Sequence, residues 1–336
     1  MELILTPDNP APPDGVTTVL RAVDGMTLRV SRWHPQSSPV GTVVICSGRT
    51  EFIEKYFETA SELLARGMAV VAFDWRGQGH SGRELDNSQK GHIDDFSLYE
   101  RDLDAIVEQA LEPFCPRPWF ALGHSMGGAI LLAQARAGRS PFERMALTAP
   151  MISFYGLRFP RLARGLAETL DTIGLGGAFI PGGRGRCYLS RGFEGNLLTS
   201  DESRFRRTAN IVAAAPSLAI GDPTIGWVNA AFRQMAQFAD PEYPRRLLTP
   251  TLVFSAGNDQ IVDPAASERF ATRLKAGRHL VIPYSRHEIL IERDIFRLQF
   301  WRAFDAFIPG ARDELSALTA AHEWAEKARK RWAIWR

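Results

Sequence analysis

Cysteine is scarce in this 336-residue chain: Cys46, Cys115 and Cys187 are odd in number, far apart and without a Cys-x-x-Cys spacing. That excludes a disulfide framework and a thiolate zinc site, and it fits a reducing compartment such as the cytoplasm. Long apolar runs are missing too, since stretches such as residues 68–73 are strand-sized and well short of the roughly 18 residues that a membrane span needs. Residues 1–16 hold four prolines and neither a basic n-region nor an apolar h-region, so they read as a loose leader rather than a signal peptide. Charge of one sign is also lacking. The 40 basic and 38 acidic residues leave a net charge of +2, which gives no support to a nucleic-acid-binding protein. Lysine is rare, at five against 35 arginines, so an electrostatic partner has to meet a local arginine patch.

What is present points to a folded α/β protein. The composition, 45% hydrophobic and 23% charged, supports a sizeable core. The length is about twice the usual domain of roughly 150 residues, which allows one large domain with an insertion or two domains. Residues 17–23 and 26–33 flank Asp24-Gly25, the two-residue turn chemistry of a β-hairpin. Short apolar runs then alternate with helical spacing: strands at 42–46, 68–73, 119–122 and 145–148, and helices at 52–66, 96–111 and 126–137, the last closed by Gly138. The alternation resumes with strands at 251–255 and 279–282 and helices at 264–274 and 294–307. Strands that are apolar throughout and joined by helices imply a mostly parallel sheet covered on both faces. Between 151 and 235 the strand periodicity stops, and about 85 residues is too long for a connecting loop, so an inserted helical cap is predicted there. The expected organisation is a core of residues 1–150 and 236–310, the insertion 151–235, and a basic amphipathic helix over 311–336.

Gly123-His124-Ser125-Met126-Gly127 fits the pattern G-x-S-x-G, and it lies directly between an apolar strand and an apolar helix. That setting is the one a nucleophile elbow requires, with small residues where strand and helix cross. A serine hydroxyl needs a general base, and the base needs an orienting acid. Asp259 and His287 follow the strands 251–255 and 279–282 in the chain order Ser, Asp, His, at the ends where open α/β sheets place their sites. Asp263, just before Pro264, suits a helix cap instead; His279 starts a strand and His322 falls in the terminal helix. An oxyanion hole needs two backbone donors. Met126 N–H, at the helix start, and Arg49 N–H, in the loop after the strand 42–46, are the expected pair, with Glu51 opening the following helix. Gly77-Gln78-Gly79-His80-Ser81-Gly82 matches G-x-G-x-x-G, but the polar stretch 83–90 follows where a dinucleotide fold needs a helix, so it reads as a loop beside the site.

With these residues in view the chain resembles the serine-hydrolase branch of the α/β-hydrolase superfamily, in the group of monoacylglycerol lipases and lysophospholipases, and it is similar to bacterial lysophospholipases of the L2 type. The matching pieces are Gly48-Arg49-Thr50-Glu51 with Lys55-Tyr56, the run from Asp74 to Ser81, the elbow from Gly123 to Gly128, Gly257-Asn258-Asp259 and Arg286-His287-Glu288. The resemblance implies an α/β-hydrolase fold with a helical cap, the triad Ser125, Asp259 and His287, and no metal or cofactor. Many lipases of this group carry His-Gly where this chain has Ser47-Gly48, which removes a side-chain hydrogen bond but not the Arg49 backbone donor.

The expected activity is hydrolysis of a lipid or small ester substrate, with a lysophospholipid first and a monoacylglycerol, general carboxylic ester or thioester as alternatives. A non-catalytic lipid-binding protein on the same fold is the alternative of another class. Residues 151–235 hold ten arginines and six acids, an excess of +4 that suits a phosphate head group or equally a solvated helical face. The last ten residues carry five basic side chains and no acid, which suits either peripheral membrane contact or docking on the domain.

Overall fold

The computed structural model describes residues 2–311, so the helix expected over 311–336 lies outside the described residues but for its first position. Eight strands form one sheet: β1 (Val16–Arg21), β2 (Thr27–Trp33), β3 (Thr42–Cys46), β4 (Ala69–Phe73), β5 (Trp119–His124), β6 (Arg144–Thr148), β7 (Thr251–Ala256) and β8 (Gly277–Ile282). Their order across the sheet is β1-β2-β4-β3-β5-β6-β7-β8. β1 and β2 pair antiparallel, as do β2 and β4, and every other pairing is parallel. The helices in chain order are α1 (Phe57–Ala65), α2 (Ser97–Ile106), α3 (Glu112–Phe114), α4 (Met126–Arg136), α5 (Pro160–Leu170), α6 (Glu202–Ala214), α7 (Ile225–Phe238), α8 (Pro264–Ala271) and α9 (Asp294–Phe307).

The strands β3, β4, β5 and β7 are buried at every position and mostly apolar because both faces are covered. Along β3, Val43 and Ile45 enter one core cluster, and Val44 and Cys46 enter the other. α1 and α9 cover the first face with Phe57, Leu63, Phe300 and Phe304, while α2, α4 and α8 cover the second with Leu103, Ile130, Leu131 and Phe270. Between β6 and β7 the chain leaves the sheet and runs through α5, α6 and α7. α6 and α7 are capped by side chains: Asp201 accepts from Arg204 N–H at 2.9 Å and Thr224 from Trp227 N–H at 3.2 Å.

Three local expectations change. The β1–β2 loop has three residues, not two: Ala22 pairs with Met26, and Gly25 takes the left-handed position at φ +84°. Asp-Gly serves both loop lengths, and the strand register selects between them. The leader is not loose. Ile4 N–H donates to Glu54 Oε1 at 3.0 Å, Asn9 Nδ2 to Glu54 O at 2.9 Å, and Trp33 Nε1 to Pro12 O at 3.1 Å, while Leu3, Ile4 and Ala11 pack on the core at spacings that form no helix or strand period. Finally, α7 runs through residue 235, so the helical excursion continues past the expected boundary.

Candidate active site

Ser125 sits between β5 and α4 with φ +50° and ψ −112°, a backbone state that L-residues rarely adopt. Its N–H donates to Thr148 O at 3.0 Å, and its C=O accepts from Ala129 and Met151 N–H, which fixes the turn from both sides. The crossing leaves no room for side chains: a Cβ on Gly127 would lie 2.1 Å from the backbone oxygen of Cys46, and one on Gly123 would lie 2.7 Å from Leu131 Cδ1.

Asp259 and His287 come together as the chain order predicts. Asp259 Oδ2 accepts from His287 Nδ1 at 2.8 Å, while its Oδ1 accepts the N–H groups of Ile261 and Val262 at 2.8 and 3.1 Å. The acid is thus oriented by its own loop, and both residues are buried. Burial disfavours the imidazolium, but the Asp259 charge and hydrogen bond outweigh it, so the His287 pKa lies above the ordinary imidazole value. Asp263 caps α8 through Ala265 N–H, and His279 binds Ser255, as their positions suggest. His322 lies outside the described residues.

The loop after β3 is held open by residues around it. Gly48 N–H donates to Glu51 Oε2, while Gln78 Nε2 donates to Gly48 O at 2.7 Å and to Glu51 O at 3.0 Å. Gln78 Oε1 accepts from Thr50 N–H, and Thr50 has φ +67°. The G-x-G-x-x-G segment is therefore a buttress of this loop. Among the described residues Arg49 N–H has no protein acceptor, and Met126, first in α4, has none within its helix. Ser47 Oγ is buried without a partner, so no side-chain bond replaces that of the histidine found in many lipases.

Sequence reasoning missed a buried ionic cluster. Glu51 does not open a helix; it is buried, bonded to Tyr56 Oη at 2.6 Å and to Lys55 Nζ at 2.6 Å, and Lys55 Nζ also reaches Glu288 Oε1 at 2.5 Å. Burial acts to raise the Glu51 pKa, but the Lys55 charge prevails and brings it down to about 2. Glu51, His124 and Glu288 bring potential metal-ligand atoms within 4.8 Å of one another, yet the Lys55 ammonium already bridges the two carboxylates and supplies the cation. Burial pushes His124 down to about 4, so its ring, 4.8 Å from that of His287, is neutral. The sequence signal was Glu51, Lys55 and Glu288 lying in motif pieces beside the site.

A cavity of about 480 Å³ contains Ser125, His287, Met126 and Arg49 in its wall, with apolar Met151, Phe154, Val228, Ile261 and Val262 and polar Arg191 and Asn196. The helical excursion contributes Tyr188, Arg191, Asn196 and Leu198 to its wall and is tied to the chain around His287. Glu288 N–H donates to Leu198 O at 2.8 Å, and Arg286 Nη1 donates to Asn196 O and Thr199 O at 2.8 and 3.0 Å.

A parallel sheet with a strained serine at the β5–α4 turn, and an Asp–His pair on later strands, defines an α/β-hydrolase-fold serine hydrolase. Residues 37–294 match the serine aminopeptidase S33 family, and the chain belongs to it. It is 35% identical over 290 residues to lysophospholipase L2 of Escherichia coli K12, covering 82% of each chain. Against the monoacylglycerol lipase of Mycolicibacterium smegmatis it is 27% identical, covering 80% of this chain and 89% of that one. Its fold matches a soluble variant of monoglyceride lipase from Saccharomyces cerevisiae with a TM-score of 0.67 at 22% identity, over 86% of this chain and 94% of the other. The chain is a serine hydrolase acting on carboxylic esters.

Proposed function

We propose that the protein is a lysophospholipase that releases fatty acid through an acyl-enzyme on Ser125. Ser125 Oγ attacks the acyl carbonyl carbon. His287 Nε2 takes the hydroxyl proton and delivers it to the leaving glycerol oxygen, while Asp259 holds the ring by its Nδ1 and stabilises the imidazolium. The N–H groups of Met126 and Arg49 receive the oxyanion. Water, losing a proton to the same imidazole, then hydrolyses the acyl-enzyme and Ser125 regains its hydrogen. The observation that carries this reading is the 2.8 Å Asp259–His287 pair, whose imidazole shares a cavity with the strained serine. The likeness to lysophospholipase L2 supports the substrate class. A monoacylglycerol is the second reading, supported by the likeness to a monoacylglycerol lipase.

The same reading places the protein in the cytoplasm, peripheral at the inner membrane surface. All three cysteines are buried free thiols, in keeping with a reducing compartment. No helix among the described residues is long and apolar enough to cross a membrane. On and beside α5, Phe159, Leu162, Leu166 and Ile173 point their apolar groups at solvent along one face, with exposed Arg158, Arg161 and Arg164 among them. A helix of this kind suits the interface of an anionic bilayer.

A fluorophosphonate probe is expected to label the wild type and not Ser125→Ala; equal labelling of both sinks the assignment of the nucleophile. Fatty-acid release from a lysophosphatidyl lipid, a monoacylglycerol and an acyl-CoA, measured side by side, is expected to give the highest kcat/KM for the first. Preference for the monoacylglycerol overturns the head-group assignment. Co-sedimentation with anionic vesicles that is unaffected by Leu162→Glu with Leu166→Glu removes the membrane reading.

A further inference from the structure

We infer that the Arg49 side chain is the head-group residue, its guanidinium holding the substrate phosphate next to the oxyanion hole to which its own backbone contributes. This rests on the lysophospholipase reading and refines it.

Arg29, Arg66, Arg76 and Arg297, the deeply buried arginines, are each held by a carboxylate at 2.7 Å or less. Arg49 differs. Among the described residues no carboxylate pairs with it; its Nη2 donates to Gly221 O at 3.0 Å, its Nε is buried without a partner, and its guanidinium carbon stands 5.1 Å from the Trp227 ring. Burial draws its pKa down only to about 10, so the group is a cation at neutral pH. A half-buried cation in a cavity wall with no paired anion is a preformed site for one, and the planar fork of a guanidinium suits a phosphate.

The sheet order gives the site a direction. β3, which delivers Arg49, lies on one side of β5 and its Ser125; β6 and β7, which deliver Met151, Phe154, Ile261 and Val262, lie on the other. The cavity thus has a cationic flank and an apolar flank with the nucleophile between them. A lysophospholipid has the same order: acyl chain, ester carbonyl, then glycerol and phosphate. From carbonyl carbon to phosphorus there are six bonds, roughly 7 Å when extended, comparable to the length of an arginine side chain at standard bond lengths. With the carbonyl oxygen on Arg49 N–H, the phosphate comes within reach of the same residue's guanidinium. Arg191, in the same cavity wall, is paired with Asp222 at 3.6 Å; the Asp222 charge also acts on Arg49 but makes no contact within ion-pair distance, so Arg49 carries the uncompensated charge on this side.

Arg49 also ties its loop to the helical excursion through Gly221, so the test must separate recognition from support. Two non-cleavable ethers, a lysophosphatidyl ether lipid and the matching monoalkylglycerol, are used as competitive inhibitors of short-chain aryl-ester hydrolysis. In Arg49→Gln the ratio of the two inhibition constants is expected to shift about tenfold to a hundredfold against the phosphate-bearing ether, the size of one or two charge-assisted hydrogen bonds. Arg49→Lys is expected to recover part of the shift, because it keeps the charge and loses the fork. The ratio is internal to each variant, so a smaller yield of folded enzyme does not move it. An unchanged ratio in Arg49→Gln, with both ethers weakened alike or neither, overturns the inference. Failure of the underlying reading has a different signature: wild-type enzyme releasing fatty acid no faster from the lysophosphatidyl lipid than from the monoacylglycerol.

Discussion

Lys55→Met removes the one ammonium between two buried carboxylates while keeping the length and apolar stem of the side chain. Lys55 stands 2.6 Å from Glu51 and 2.5 Å from Glu288, and all three side chains are at most 7% exposed. Deleting one partner of a buried ion pair costs about 3–5 kcal/mol, because the remaining charge is left desolvated. At about 2–4 °C per kcal/mol for a chain at the upper end of domain size, the melting temperature is expected to fall by roughly 6–20 °C. The loss should depend on pH with a definite sign. Burial already holds the Glu288 pKa above the ordinary carboxylate value in spite of Lys55. Without Lys55 it rises further, and a carboxyl whose folded pKa exceeds its unfolded one destabilises the fold as pH climbs through the folded value. The deficit relative to wild type is therefore largest near about pH 8 and shrinks toward about pH 5. Adding Glu288→Gln to Lys55→Met removes the second acid and recovers part of the loss. Urea unfolding followed by circular dichroism measures all three proteins across this range. A deficit below about 1 kcal/mol at the alkaline end, or one that does not change with pH, refutes the reasoning.

Two further outcomes follow from the proposed triad. Asp259→Asn is expected to lower kcat by about 10⁴, because the amide no longer fixes the imidazole tautomer; steady-state kinetics on an aryl ester show it, and a loss under tenfold removes Asp259 from its role. With the His287 pKa raised, the base becomes protonated and inactive as pH falls through that raised value, so the acid limb of kcat/KM has its midpoint above 6.5. A midpoint at or below 6.5 contradicts the electrostatics described for this pair.

The parallel core was legible because β3, β4 and β5 are buried on both faces and so carry runs of four or five consecutive apolar residues. Ser125, Asp259 and His287 were legible for a related reason: each stands just past the end of a strand, so that chain position reports spatial position. The support of the site was not. Lys55 and Glu288 are 233 residues apart, and nothing in a polar side chain near the start of a helix reveals that it is buried. Gln78 holds both Gly48 and Glu51 from a loop whose letters suggested nucleotide binding. Ile4 and Asn9 bind Glu54 by hydrogen bonds from a backbone N–H and a side-chain amide, which leave no periodicity to read.

The hydrogen bonds from Arg286 and Glu288 to residues 196, 198 and 199 join the chain on either side of His287 to the excursion between β6 and β7. That segment is consequently a poor candidate for a modular swap. A chimera carrying the corresponding stretch of a relative changes the footing of His287 along with the shape of the cavity, so its turnover number and its substrate range are expected to shift as one trait.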